Sequence, residues 1–358
     1  KAAAKAFDDA VAAIEVELSD DCLAAINAAY AQYEALAVKD YATNKALLDE
    51  KKAEYDALVA YKAAQDAASA VNKIGATSLV ITDSLAINYK INVGAGYDVV
   101  RMEFTLAGVT TVVTDYTIDA NGKFVFRYNN IAPNLMGETI YSVIVVTDKD
   151  GNEIKCYAQE YSVATYANRK IATSAYTELL ASMINYGDAA VTYTGEYTAP
   201  STLINGWDTY AESIAPARQY TSIYDISSDV AAPAVTWGSA NLILNDAVNI
   251  RFKLSGEILD GYKVIAVYNG VEYTFDIFTD GENSYFVWDL FNMAQVTNAC
   301  AISFTVCDAD GNAVSNTLTY SIESYVADMI GTDAKLDALL TALMQYGDAA
   351  LTFKHANG

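Results

Sequence analysis

The chain has 358 residues, 53% of them hydrophobic, which is enough for two or three domains with cores of their own. Its 45 acidic side chains outnumber 22 basic ones to give a formal net charge of −23, and no basic stripe is left to neutralise phosphates or dock on anionic lipid. Nucleic acid and membrane surfaces are thereby excluded as expected partners, and the longest apolar runs, such as Val143-Ile144-Val145-Val146, are strand-sized against the roughly 20 residues that span a bilayer.

Residues 1–74 are rich in Ala, Leu, Lys and Glu, with apolar side chains at helical spacing: Ala24, Ile26, Tyr30, Tyr33 and Leu36, then Leu47, Leu48, Tyr55, Leu58 and Tyr61. Ser19 before Asp20 and Asp21 supplies an N-cap with first-turn acids, and Thr43 or Asn44 supplies another after a break near Lys39 to Tyr41. This spacing predicts three helices forming a small bundle or a stalk, with the Tyr stripe read as packing. The chain opens at Lys1 inside this pattern, without signal peptide or sorting sequence, so it reads as a piece of something longer.

At Gly75 the period changes to alternation, in Leu79-Val80-Ile81, Ile87 to Ile91, Val99 to Leu106 and Phe124 to Tyr128. Turn signals at Gly94-Ala95-Gly96, Asn121-Gly122 and Asp150-Gly151 fall at the spacing of a small all-β sandwich, predicted to be immunoglobulin-like.

The pattern then repeats at about 160 residues. Leu79-Val80-Ile81-Thr82-Asp83 returns as Leu242-Ile243-Leu244-Asn245-Asp246, and Asp148-Lys149-Asp150-Gly151-Asn152 as Asp308-Ala309-Asp310-Gly311-Asn312. Tyr161-Ser162-Val163 with Tyr166 returns as Tyr320-Ser321-Ile322 with Tyr325, and Tyr186-Gly187-Asp188-Ala189-Ala190 as Tyr346-Gly347-Asp348-Ala349-Ala350. Each unit closes on a helical segment with one apolar stripe, Leu179, Leu180, Met183 and Ile184 or Leu339, Leu340, Leu343 and Met344, expected to pack on its own sandwich. The predicted architecture is a multi-domain α+β chain: a helical bundle or stalk (1–74), a sandwich-plus-helix repeat (75–190), an aromatic-rich connector (191–235) and a second repeat (236–358).

The run Tyr-Ser-Val, Leu-Leu, Met-x-x-Tyr-Gly-Asp-Ala-Ala behind a β domain and an Ala- and Tyr-rich helical segment resembles modules of large secreted cell-surface proteins of gut Clostridia and ruminococci. More narrowly it is similar to a domain of the starch adherence system of ruminococcal amylosomes. The resemblance spans the whole chain in architecture, and it implies an exported, non-catalytic protein that engages starch or malto-oligosaccharides, with other surface-complex proteins met through domains outside this chain. It carries no binding motif over residue by residue.

The residues themselves permit a sugar ligand, because sugar rings stack their C–H faces on aromatic side chains while amides and carboxylates take the hydroxyls. The chain holds 27 Tyr and 3 Trp, and the connector with its continuation gathers Tyr193, Tyr197, Trp207, Tyr210, Tyr220, Tyr224 and Trp237 among Asn205, Asp208, Arg218 and Asp225. An ordinary linker is polar, so this stretch is either a binding surface or a glue between the repeats. Trp288 is the other candidate: aligning Tyr285-Phe286-Val287-Trp288 with Phe124-Val125-Phe126-Arg127 sets it where the first copy has Arg127 and turns it toward solvent, unless the helix covers that face. The candidate carbohydrate-binding residues are therefore Trp207, Tyr210, Tyr220, Trp237 and Trp288. A stiff spacer or protein-interaction module is the alternative function.

The paired turns offer Asp148, Asp150, Asp308 and Asp310 as weak calcium candidates, but the position that closes a twelve-residue calcium loop with Glu is Gln159 or Thr319, so a hairpin turn is the better reading. Cys22, Cys156, Cys300 and Cys307 lack close pairs and read as buried free thiols. The one histidine, His355, cannot build a triad or a zinc site, and Gly94-Ala95-Gly96 and Gly187-Asp188 have no phosphate-loop context. Neither catalysis, a resident metal nor a cofactor is expected.

Overall fold

The computed structural model describes all residues except 82–84, 130, 174, 245–247, 290–292 and 358. Thr82, Asp83, Asn245 and Asp246 of the first repeat motif lie outside the described residues. The chain runs as α1 (Ala2–Ala12), α2 (Asp20–Glu34), α3 (Lys45–Val71), then β1 (Lys73–Val80), β2 (Ala86–Asn92), β3 (Tyr97–Leu106), β4 (Val109–Val113), β5 (Tyr116–Ile118), β6 (Phe124–Tyr128), β7 (Ile140–Asp148), β8 (Glu153–Lys155), β9 (Gln159–Tyr161), α4 (Val163–Lys170) and α5 (Thr177–Thr194). After α6 (Trp207–Ala211) and β10 (Asp225–Ile226) the order recurs: β11 (Val235–Leu244), β12 (Val248–Gly256), β13 (Lys263–Tyr268), β14 (Val271–Asp276), β15 (Phe278–Asp280), β16 (Asn283–Trp288), β17 (Ile302–Cys307), β18 (Leu318–Tyr320), α7 (Ile322–Met329) and α8 (Ala334–Asn357).

Contacts divide the chain into two compact units, one of Lys1–Ile74, Ile91–Glu103 and Val143–Ala158, the other of Gly75–Lys90, Phe104–Ser142 and Gln159–Gly358. In the first, α1 to α3 close over Phe7, Val11, Ile26 and Leu48. Ser19 Oγ accepts the Cys22 amide at 3.1 Å, the N-cap that the sequence announces. The start of α3 differs from expectation: neither Thr43 nor Asn44 caps it, and Asp8 of α1 instead accepts the amides of Thr43 (2.9 Å) and Asn44 (2.8 Å). The far end of α3 is tied to the β8 segment, where Gln65 Nε2 donates to the Lys155 carbonyl (2.7 Å) and the Tyr157 amide to Ser69 Oγ (2.9 Å). One residue, the buried Asn72, joins α3 to β1; its amide donates to Ala68 and its side-chain oxygen accepts from Gly94.

The second unit contains the whole of the second repeat. Sheet β11-β12-β16-β15 faces sheet β10-β18-β17-β13-β14, all neighbouring pairs antiparallel. Their inner faces meet in one aromatic cluster, with Phe304 of β17 5.1 Å from Phe252, 5.4 Å from Phe286 and 5.4 Å from Trp288, centroid to centroid. Trp288 is 1% exposed, which corrects the outward orientation read from the sequence. The repeat register is slipped by one residue there: buried Phe126 and Tyr128 correspond to buried Phe286 and Trp288, and Arg127 to Val287. Because strand side chains alternate, a slip of one reverses every assignment of face.

In the first repeat the corresponding sheets are β1-β2-β6-β5 and β4-β3-β7-β8, with β9 also along β7. Phe104 lies 4.9 Å from Tyr89 and 4.8 Å from Tyr128. Both repeats keep one surface ion pair, Lys90 with Asp119 at 2.9 Å and Arg251 with Asp280 at 3.6 Å. The backbone amide of Lys123 and then the Lys90 ammonium hold the Asp119 carboxyl at about 2.

The repeated motifs are the joints between sheet and helix. In Tyr-Ser-Val and Tyr-Ser-Ile, the Tyr ends a strand and the Ser caps a helix, Ser162 Oγ accepting from Thr165 N (2.9 Å) and Ser321 Oγ from Ser324 N (3.0 Å). Tyr166 and Tyr325 then hydrogen-bond to the backbone of Leu79 and Leu242, fastening each short helix to the first strand of its own repeat. In Tyr-Gly-Asp, the Gly lets the long helix approach a 3-10 turn: a Cβ on Gly187 would sit 2.8 Å from Pro200 Cγ and 3.2 Å from the Pro133 carbonyl, and one on Gly347 3.1 Å from the Met293 carbonyl. Gly187→Ala and Gly347→Ala are therefore expected to destabilise by about 1–3 kcal/mol in urea unfolding, although alanine is the better helix former.

The long helices also pack on each other. Asn185 meets Gln345, Tyr186 stacks on Tyr346 with centroids 6.1 Å apart, and Tyr176 beside the start of α5 meets Phe353 near the end of α8 at 5.3 Å. The helices thus run antiparallel, and equivalent residues, 160 apart, face each other across an approximate two-fold axis. Burial pushes both tyrosine hydroxyls well above their ordinary ionisation range.

Candidate functional site

The connector is fastened to both repeats along its length. Over the first, the Thr198 amide donates to Glu138 (2.9 Å), Ser201 to Asp188 (3.0 Å) and Asn205 to Asn168 (2.9 Å). Over the second, Gln345 Nε2 donates to the Ala215 carbonyl at 2.8 Å, and Arg218 makes a two-pronged bond to Glu323 (2.7 and 3.0 Å) and another to Asp348 (2.9 and 3.3 Å). The Arg218 guanidinium lies 5.1 Å from the centre of the Tyr220 ring. Glu323 also accepts from the backbone amides of Asn298 (2.9 Å) and Thr221 (3.3 Å). Burial raises its proton affinity, but Arg218 and these amides outweigh it and hold the carboxyl below the ordinary range.

The five nominated aromatics do not converge on one surface. Trp207 and Tyr210 are half-buried on α6, which packs on α5. Tyr220 is half-buried beneath Arg218. Trp237 lies at the edge of the second repeat's aromatic core, 6.0 Å from Phe286, and its indole N–H donates to the Asn316 carbonyl at 2.7 Å. Trp288 is inside that core, against Phe275 at 5.2 Å.

The four aspartates nominated for calcium sit in two equivalent turns. Asp148 Oδ1 accepts the amides of Asp150 and Asn152, both at 2.9 Å, and Asp308 Oδ1 those of Asp310 (3.0 Å) and Asn312 (2.8 Å). Gly151 (φ 84°) and Gly311 (φ 85°) supply the left-handed residue. Hydrogen bonds from Asn152 and Asn312 lower the two leading carboxyls. Among the described residues no group of three or more His, Cys, Asp or Glu is placed to hold a metal ion. Cys22 and Cys156 are buried free thiols, whereas Cys300 and Cys307, expected to be buried, are only half-buried.

A groove of about 730 Å³ opens on the first repeat, between the β4–β5 turn and the outer face of β6. Asn88, Asp115, Thr117, Arg127 and Asn129 line it around Tyr116, whose ring is 45% exposed and braced edge-on by Phe124 at 5.0 Å. Tyr128 hydrogen-bonds to Thr111 at the same wall, and burial raises its hydroxyl above the ordinary range. Amide, hydroxyl, carboxylate and guanidinium groups around an exposed ring suit a polyhydroxyl ligand. No local pattern in the sequence gathers this group, because its members come from β2, β4, β5 and β6 and the residues beside them. The one signal within reach was Arg127, a cationic position that the second copy fills with Val287.

No protein-family model and no curated protein matches the chain. Among solved structures, it is similar to a chain described as a structural insight into host cell surface retention of a 1.5-MDa bacterial ice-binding adhesin, at 16% identity, 66% coverage of this chain, 56% coverage of that one and a TM-score of 0.16. The chain therefore spans little more than half the length of that neighbour. No described helix is long and apolar enough to cross a membrane.

Proposed function

We propose that the chain is a non-catalytic module of a secreted bacterial surface protein, in which paired repeats form a stiff spacer that presents neighbouring domains. The observation that carries this reading is the α5–α8 interface, where Tyr186 and Tyr346 are buried against each other and Arg218 braces the connector across the second repeat. The connector aromatics serve as glue in this arrangement. An immunoglobulin-like identity for each repeat accords with its facing antiparallel sheets, and surface location with the resemblance carried by the Tyr-Gly-Asp-Ala-Ala helices.

Hydrogen exchange on the full chain tests the stiffness. Tyr346→Ala, in the second repeat, is expected to speed exchange in β6 of the first repeat as well as in β16 of its own. Acceleration confined to the second repeat would mean independent beads and overturn the spacer reading.

A second reading is favoured by the Tyr116 groove: the first repeat binds a polysaccharide, with starch or malto-oligosaccharides the class that the resemblance implies. On affinity gels of starch, xylan and mucin, selective retention by starch is expected under this reading. Tyr116→Ala should weaken it about tenfold or more while costing about 1–2 kcal/mol of stability, since the half-exposed ring also packs on Phe124 and Phe126. A folded chain that no glycan retains would remove this reading and leave the spacer.

A further inference from the structure

The approximate two-fold axis between the repeats is broken near the ends of the two long helices. On one side the ring of Tyr176, 38% exposed, leans on Phe353, ring centroids 5.3 Å apart. The two-fold partner of Tyr176 is Leu336 and that of Phe353 is Tyr193, and between Leu336 and Tyr193 lies a pocket of about 340 Å³. Leu242, Met329 and Leu339 supply apolar lining, and Asn134, Thr194 and Tyr325 supply polar groups. In the repeat alignment Met329, the last residue of α7, corresponds to Lys170, the last residue of α4, so the apolar wall at Met329 is particular to the second repeat.

We propose that this pocket is a binding site for a small phenol, a single aromatic ring bearing one hydroxyl. The duplicate itself indicates the occupant, because at the equivalent position the chain places the phenol ring of its own Tyr176 against the ring that corresponds to Tyr193. The volume lies within the roughly 300–1,000 Å³ of small-molecule sites, and a mostly apolar lining with a few polar groups is what such a ligand requires. The site is distinct from the Tyr116 groove; lined from both repeats, it rests on the same pairing as the spacer reading, which the hydrogen-exchange experiment tests separately.

Ligand-observed NMR with p-cresol on the full chain tests this. The native chain should show one saturable site, and Leu336→Tyr, which supplies the missing ring, should abolish it without lowering the melting temperature. Tyr176→Leu should open the duplicate and raise the stoichiometry from one to two, which guards against a Leu336 variant that fails to fold. Absence of saturable binding by the native chain, or a site that survives Leu336→Tyr, would overturn the proposal.

Discussion

Trp288→Ala is expected to cost about 3–5 kcal/mol of stability, the range for truncating a large aromatic in a packed core. The indole is 1% exposed, and its removal would leave Phe275, Tyr273 and Phe304, with centroids 5.2 to 5.7 Å from it, facing a void that neighbouring strands cannot close. Urea unfolding followed by circular dichroism measures the loss, and a change below about 1 kcal/mol would place the ring outside the core. The result also bears on function: any fall in glycan retention by this variant is expected to track unfolding, since a ring enclosed between two sheets has no face to offer a sugar.

Arg218→Ala should be the next most damaging change. Breaking a buried ion pair costs about 3–5 kcal/mol because the remaining charge loses its partner, and partial exposure of Arg218 scales this to about 2–4 kcal/mol. Glu323, 3% exposed, would keep only backbone donors. The pH dependence has a definite sign. The folded carboxyl titrates below its ordinary value of 4.5, so its contribution is complete above that value and is lost as pH falls through the lower folded value. Stabilities of native and variant chains should therefore differ most near neutral pH and converge in acid. Glu323→Gln, which keeps an acceptor for the two amides, should cost less than Arg218→Ala. Equal losses at neutral and acid pH would show that Arg218 acts by packing alone.

The helices, the strand segments and the existence of two repeats were legible because each rests on pattern within the sequence itself. Ser19, Ser162 and Ser321 announce helix starts through chemistry confined to three residues, and Gly122 and Gly151 announce turns in the same way. What was not legible depends on partners distant in sequence. Asp8 holds the two residues that lead into a helix some 36 residues later, and nothing local distinguishes it from the other surface acids. The face of Trp288 was lost to a register slip of one residue, to which a period-two pattern is most sensitive. The Tyr116 groove draws on four strands, and the α5–α8 contact joins equivalent residues 160 apart, so both exist only once the sheets and helices have assembled.

The symmetry of that helix pairing limits how such units can be strung together. A patch that recognises its own copy across a two-fold axis is saturated by one partner, whereas head-to-tail contacts can propagate without end. Two repeats therefore use up each other's valence, and a third copy would find the α5 and α8 faces already occupied. An array of such repeats would therefore grow by couples rather than by single repeats, through the segments between them.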